Sequence, residues 1–339
     1  MDPISQGAIG AALATATHTR RKKLLTVALL GTLAGMAPDL DVLMQSPTDP
    51  LLFLEYHRQF SHALVFIPIG ALLVAWPLFK FFARKVLTWR ETYLACLAGY
   101  ATHGLLDACT SYGTQLFWPF SNVRVAWNNS SIVDPLFTLP LVGLVAAAVI
   151  FSKRHFAIAA MVWALGYLGF GWLQQERAMA VAEAQAVARG HDPQRLSVKP
   201  SFGNIFLFKS IYQDQGFYYV DAVRVAVDEH WCEGSRIEQF DRARSFPDLP
   251  SNSQQAKDIA RFSWFSHDYL AQDPTGRVID MRYSMLPDSI DPMWGIVVDA
   301  ERPSDHVSWW ASRELGPGEM DRFTDLLLGR GCKQVLAIE

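Results

Sequence analysis

Apolar positions change their pattern near the middle of the chain. Up to about residue 175 they form long runs without a charge; beyond it they fall into short alternating or amphipathic stretches. The runs 135–152, 155–175 and 63–79 are uncharged for 18, 21 and 17 residues. A hydrocarbon core of about 30 Å needs roughly 20 apolar helical residues, and somewhat fewer when polar ends reach the interface. These three runs are predicted spans. A fourth, 92–106, is 15 residues long, contains His103 and leads into Asp107, so it reads as a span with polar cargo. Two shorter runs, 3–19 and 24–36, flank Arg20, Arg21, Lys22 and Lys23. Gly31 with Gly35, and Gly7 with Ala11, offer small faces for close helix contact, and the pair is predicted to be a short helical hairpin.

The second half has soluble patterning. A helix is expected over 174–189, stopped by Gly190 and Pro193. Strands are expected at 205–211, 217–227, 278–283 and 296–298, and helices at 254–270 and 318–328. The predicted fold is therefore an α-helical membrane bundle of about six spans over 1–175, the first two short. An extramembrane α+β domain follows over 176–339.

Charge sharpens this division. Residues 1–175 hold 20 of the 63 charged side chains, and the remaining 164 residues hold 43. A net charge of -3 leaves no basic footprint, which excludes nucleic acid as the expected partner. Ten basic residues fall in alternate short loops, at 20–23, at Lys80, Arg84, Lys85 and Arg90, and at Lys153 and Arg154; the other loops hold Arg58 and Arg124. The positive-inside rule puts the first set in the cytoplasm and both termini outside. The four cysteines form no CxxC pair, which excludes a zinc ribbon or thioredoxin-type site. Cys232 and Cys332 fall in the outer domain, where oxidation would let them pair; two separate buried thiols are the alternative.

Ionisable groups at membrane depth are costly and point to function. Asp39, Asp41, His57, His62, His103 and Asp107 all map to the outer ends of predicted spans, and His103 and Asp107 share a helix face. Imidazole and carboxylate together suit Zn²⁺ or Mn²⁺, with enough groups for one or two ions. Singly, each residue has a plainer reading as a cap, an interfacial side chain or a hydrogen-bonded pair; six on one face favour a site. His18 and His155 lie on the cytoplasmic side, away from it. Trp118, Phe120 and Trp127 read as an interfacial aromatic belt.

The assembled motifs resemble the YdjM-like family of membrane-bound metal-dependent hydrolases. They are Pro38-Asp39-Leu40-Asp41, His57-Arg58-Gln59-Phe60-Ser61-His62, the segment from Gly99 through His103 to Asp107, 110–120, and Asp134-Pro135. The resemblance covers roughly residues 1–150. It implies distant kinship with zinc-dependent phospholipase C and nuclease P1, and metal ligands at Asp39, His57, His62, His103 and Asp107, with Asp41 joining them. Gln6 stands where many members carry a histidine, and it would supply an oxygen or a hydrogen bond there. On this resemblance the chain is expected to be an inner-membrane metal-dependent hydrolase of phosphoesters, and the depth of the site, at the headgroups of the surrounding lipid, favours a lipid-linked one. Asp41 would serve as base or orienter, and Arg124, with Arg58, would hold the anionic group. Two other readings use the same residues: a non-catalytic metal-binding scaffold whose outer domain engages a protein partner, and a proton-coupled transporter. All candidate ligands precede residue 135, so the outer domain is expected to be dispensable for metal binding.

Overall fold

A computed structural model describes residues 1–18, 23–314 and 316–335. The Arg20, Arg21 and Lys22 part of the predicted basic turn lies outside the described residues. The chain divides into two compact units. Unit 1 is Met1–Leu43, Tyr56–Leu173 and Phe202–Asn204; unit 2 is Met44–Glu55, Gln174–Ser201 and Ile205–Glu339.

Unit 1 is helical. α1 (Pro3–Thr17) starts where the Asp2 carboxylate accepts hydrogen bonds from Ile4 and Ser5 N–H, with Pro3 in the first turn. α2 (Leu24–Met36) continues as a 3₁₀ helix over Ala37–Leu43. The short α3 (Leu52–Tyr56) begins in the Met44–Glu55 segment of unit 2. Two 3₁₀ turns, Phe60–His62 and Leu64–Phe66, lead into α4 (Ile67–Leu78) and a π turn at Phe79–Ala83. α5 (Trp89–Ala108) opens with a capping box between Thr88 and Glu91. α6 is Pro135–Ile150, capped by Asp134. α7 (Arg154–Ala188) runs for 35 residues without a break and passes from unit 1 into unit 2.

Among the described residues, three helical stretches are long and apolar enough to cross a membrane: Leu24–Leu43, Leu64–Ala83 and Arg154–Ala188. This is fewer than the six spans expected from sequence. α1 and α6 have 15 and 16 residues, and α5 has the length but carries Arg90, Glu91 and Asp107. The second run is longer than expected because the 3₁₀ extension carries it through Asp39 and Asp41.

Glycines set the contact between α1, α2 and α5. A Cβ on Gly31 would lie 2.5 Å from the Gly10 carbonyl oxygen, and one on Gly35 would lie 2.7 Å from that of Gln6. A Cβ on Gly99 would lie 2.9 Å from Gly31 Cα. The helices meet backbone to backbone there, as small residues permit.

Unit 2 holds two antiparallel sheets. The first has the order β1 (Gln194–Pro200), β2 (Leu207–Asp214), β3 (Phe217–Val225), β4 (Glu229–Cys232), with β5 (Arg236–Glu238) also pairing with β3. The second runs β6 (Leu270–Gln272), β7 (Val278–Asp280), β8 (Trp294–Val297), β9 (Ser308–Ala311). β10 (Lys333–Gln334) closes the first sheet beside β4. Three helices complete the unit, α8 (Arg242–Ser245), α9 (Gln254–Phe265) and α10 (Glu319–Leu328). The expected helix over 254–270 stops early because His267 and Asp268 take left-handed backbone conformations, with φ of 52° and 60°. Ile211, Tyr218, Val220, Tyr269, Ala271, Ile279 and Met281 bury one core between the sheets' strands.

Cys232 and Cys332 form a disulfide across 100 residues, stapling the β4–β10 pair. Closing so long a loop restricts the unfolded chain, and losing such a bond typically costs about 2–5 kcal/mol. Cys232→Ser is expected to lower the thermal midpoint of unit 2 by several degrees. Without reductant, a maleimide should label neither cysteine of the native protein; labelling of both at wild-type stability would contradict the bond.

Candidate metal centre

Three stretches of unit 1 bring the polar residues together. The 3₁₀ extension of α2 carries Asp39 and Asp41, the segment before α4 carries His57 and His62, and α5 carries His103 and Asp107. Asp39, His62, His103 and Asp107 form one group and Asp39, Asp41 and His57 another, each offering ligand atoms within 4.8 Å of one another. Asp39 belongs to both. His62, His103 and Asp107 are buried.

Hydrogen bonds at the far side of each ring decide what the first group presents. His103 Nδ1 lies 2.5 Å from the Gly35 carbonyl oxygen. A carbonyl only accepts, so Nδ1 carries the proton and the neutral ring offers a bare Nε2. His62 Nδ1 lies 3.2 Å from Asp41 Oδ2 and 3.0 Å from Ser61 Oγ. Ser61 spends its own proton on Asp41 Oδ2 at 2.8 Å. His62 Nδ1 is then a donor too, which leaves Nε2 as the atom its ring turns into the group. The two Nε2 atoms face each other at 2.9 Å.

Two carboxylates complete the group. His62 Nε2 lies 3.1 Å from Asp107 Oδ2 and 3.5 Å from Asp39 Oδ1. His103 Nε2 lies 3.3 Å from Asp39 Oδ1 and 3.6 Å from Asp107 Oδ2. Asp107 Oδ2 is buried and accepts no hydrogen bond; Arg58 Nε pairs with it electrostatically at 3.0 Å without hydrogen-bond alignment. Two imidazole nitrogens and two carboxylate oxygens thus converge on one point. Bond lengths of about 2.0–2.2 Å imply edges of roughly 3.3–3.6 Å in a tetrahedral zinc site. The carboxylate–imidazole separations here are 3.1 to 3.6 Å. The imidazole–imidazole edge, 2.9 Å, is tighter than that, and the donor types and spacing are those of a group that could hold a divalent ion after a small outward shift of the rings.

The second group is closed by hydrogen bonds. Asp41 Oδ1 lies 2.7 Å from His57 Nδ1, and Asp41 Oδ2 accepts from Arg58 N–H at 2.9 Å as well as from Ser61. Asp41 therefore orients both His57 and His62. Arg58 holds a left-handed backbone, φ 64°, which costs a non-glycine residue of order 1 kcal/mol or more. Its N–H to Asp41 and its Nη1 to Thr110 Oγ1 at 2.9 Å hold it there.

Gln6 sits in the site as a donor. Its Nε2 lies 2.8 Å from Asp107 Oδ1. The amine of Met1 donates to the same oxygen, a partner no sequence motif signals. Arg124 is buried, donates to the Gly113 carbonyl at 3.0 Å and lies 5.2 Å from the Tyr112 ring centre. Arg58 and His57 approach the same ring at 4.8 and 5.4 Å. The open edge of the site is made by Asp39 and His57, whose side chains are 27% and 21% exposed.

A family model described as YdjM inner membrane protein matches residues 1–178. The uncharacterized protein YfhP of Bacillus subtilis (strain 168) is 25% identical over 119 residues, 35% of this chain. That stretch spans 36% of YfhP, so the chain matches about a third of its relative's length. No solved structure matches the chain.

Proposed function

The chain belongs to the YdjM inner membrane protein family, and from that premise we propose that it is an integral-membrane, metal-dependent hydrolase of phosphoesters. The observation that carries this is the convergence of Asp39, His62, His103 and Asp107, the last three buried, with Asp107 Oδ2 accepting no hydrogen bond. We assign one ion to it, with Zn²⁺ favoured over Mn²⁺ by two imidazoles and a four-donor set. Bound there, the ion supplies Lewis-acid charge stabilisation and a lowered pKa for water.

The chain's own residues supply proton handling. Asp41 fixes the His57 tautomer through Nδ1 at 2.7 Å, which turns Nε2 outward at the open edge. This is the orienting logic of a carboxylate–imidazole dyad, and it suits His57 to pass a proton to a leaving oxygen. Arg124, beside the Tyr112 ring that His57 also touches, provides positive charge for a phosphoryl group. Arg58 and Gln6 keep the Asp107 carboxylate aimed inward. A site at the ends of apolar helices favours a lipid-linked phosphoester.

We place six spans in the membrane, with unit 2 outside the cytoplasm. Met44–Glu55 and Gln174–Ser201 belong to the same unit; an even number of crossings between them agrees with this, and we count α4 to α7 as four. The Cys232–Cys332 bond suits an oxidising compartment.

Elemental analysis of the detergent-purified protein tests the reading, together with release of phosphate from lipid-linked phosphoesters. Wild type should carry about one equivalent of metal. His57→Ala should keep that metal while losing about 10²–10⁴ in hydrolysis, the usual worth of a positioned acid or base. Metal-free wild type, or undiminished hydrolysis by the variant, would refute it.

A further inference from the structure

The tether between the two ligand-bearing stretches is part of unit 2. Asp39 and Asp41 precede Met44–Glu55, and His57 and His62 follow it. Within unit 2, one side chain on α9 holds this tether at two points. Arg261 grips Asp49 with two hydrogen bonds, Nη1 to Oδ1 at 3.0 Å and Nη2 to Oδ2 at 2.8 Å, and donates through Nε to Glu55 Oε1 at 2.5 Å. Its own position is fixed by Asp258, 2.9 Å away on the same helix. His306 Nδ1 lies 2.8 Å from the other Asp258 oxygen and 3.9 Å from Asp49. Phe53 packs edge-on against Trp309 at 5.1 Å, and Leu51 and Leu54 are buried.

We propose that Arg261 is a positioning residue for the metal centre, clamping the tether so that Asp41 and His57 are presented at a fixed span. The C-terminal unit thereby governs how firmly the ion is held. This rests on the metal reading above and departs from the expectation that the outer domain is dispensable for metal binding. Two-pronged arginine–carboxylate pairing gives geometry as well as attraction. Three carboxylates, Asp49, Glu55 and Asp258, gather round one guanidinium. Removing it leaves like charges in close contact, so the tether is pushed off rather than merely released. Glu55 stands two residues from His57, and Asp41 orients His57 and His62, so a loosened tether transmits disorder to the rings. A site held in advance binds its ligand better than one ordered on binding.

The test uses the full-length protein in detergent, titrated with Co²⁺, whose visible absorption reports coordination. Arg261→Ala should weaken Co²⁺ binding by about 10–100-fold, as loss of a supporting partner does in other metal sites, and alter the absorption bands. Asp49→Asn should do the same more mildly. Arg261→Lys should restore part of the affinity, because it keeps the charge and loses the fork. Arg322→Ala breaks a different ion pair of unit 2, to Asp288, and should change neither reading. Hydrogen exchange in 44–55, measured without metal, should speed up in Arg261→Ala and not in Arg322→Ala. Unchanged Co²⁺ affinity in Arg261→Ala, with faster exchange in 44–55, overturns the coupling and leaves the metal reading standing. Equal losses in the Arg261 and Arg322 variants overturn it as general destabilisation. Wild type that takes up no Co²⁺ overturns the metal reading and the clamp with it.

Discussion

His103→Ala is expected to empty the metal centre while leaving the helices folded. The substitution removes one of four converging donors and the ring that faces His62 at 2.9 Å. It also leaves the Gly35 carbonyl without the Nδ1–H it receives at 2.5 Å. An unsatisfied buried carbonyl costs about 1–3 kcal/mol, too little to unfold a bundle held by three close helix contacts. Losing the ligand itself should cost more than the 10–100-fold typical of its supporting partners. Metal content by elemental analysis should fall to background, with an unchanged helical circular dichroism spectrum. Undiminished metal content in this variant would mean that the metal is held elsewhere, and that the group around His103 is a hydrogen-bonded cluster.

Gly31→Val should break the bundle where Gly166→Ala does nothing harmful. At Gly31 a Cβ would meet the Gly10 carbonyl oxygen at 2.5 Å, Ala14 Cβ at 2.7 Å and Ala11 Cα at 3.0 Å. All three are backbone or rigid atoms, so α1 must move away from α2. Overpacking costs about 1–3 kcal/mol where neighbours can adjust, and here they cannot. The movement also carries Gln6 away from Asp107 and Gly35 away from His103, so metal retention should fall together with stability. Gly166, within α7, has nothing within 4 Å of its Cβ position, and alanine gains about 1 kcal/mol of helix propensity over glycine. Heating both variants in detergent and following aggregation compares them directly. Equal midpoints would show that the α1–α2 contact tolerates separation.

The site was more legible than the fold around it. Asp39, Asp41, His57, His62, His103 and Asp107 stand out because carboxylates and imidazoles are rare beside long apolar runs. A count of six spans predicts their convergence, and the structure brings them together although only three described helices are long and apolar enough to cross. What sorts them is not written in spacing: His103 and His62 turn their Nε2 atoms toward each other because Gly35 and Asp41 occupy their other nitrogens. His57 pairs with the same Asp41 through its Nδ1 and stands with it and Asp39 in the second group. The 3₁₀ continuation of α2 escapes an apolar-run count because it contains Pro38 and two aspartates. The short strands β4 to β9 have three or four residues each, too few for alternation to register. Placement of 44–55 in the C-terminal unit rests on partners more than 200 residues away, Arg261 for Asp49 and Trp309 for Phe53, and no local pattern reports such pairings.

That separation has a consequence for how the protein is made. Asp49 leaves the ribosome 212 residues before Arg261. At 5–20 residues per second the tether waits roughly 10–40 s for its partner. Throughout that interval the aspartates and histidines on either side of it are already synthesised but joined by an unsecured strand. If the centre holds metal as proposed, its tightest form has to wait until Arg261 has been made and has reached Asp49 and Glu55.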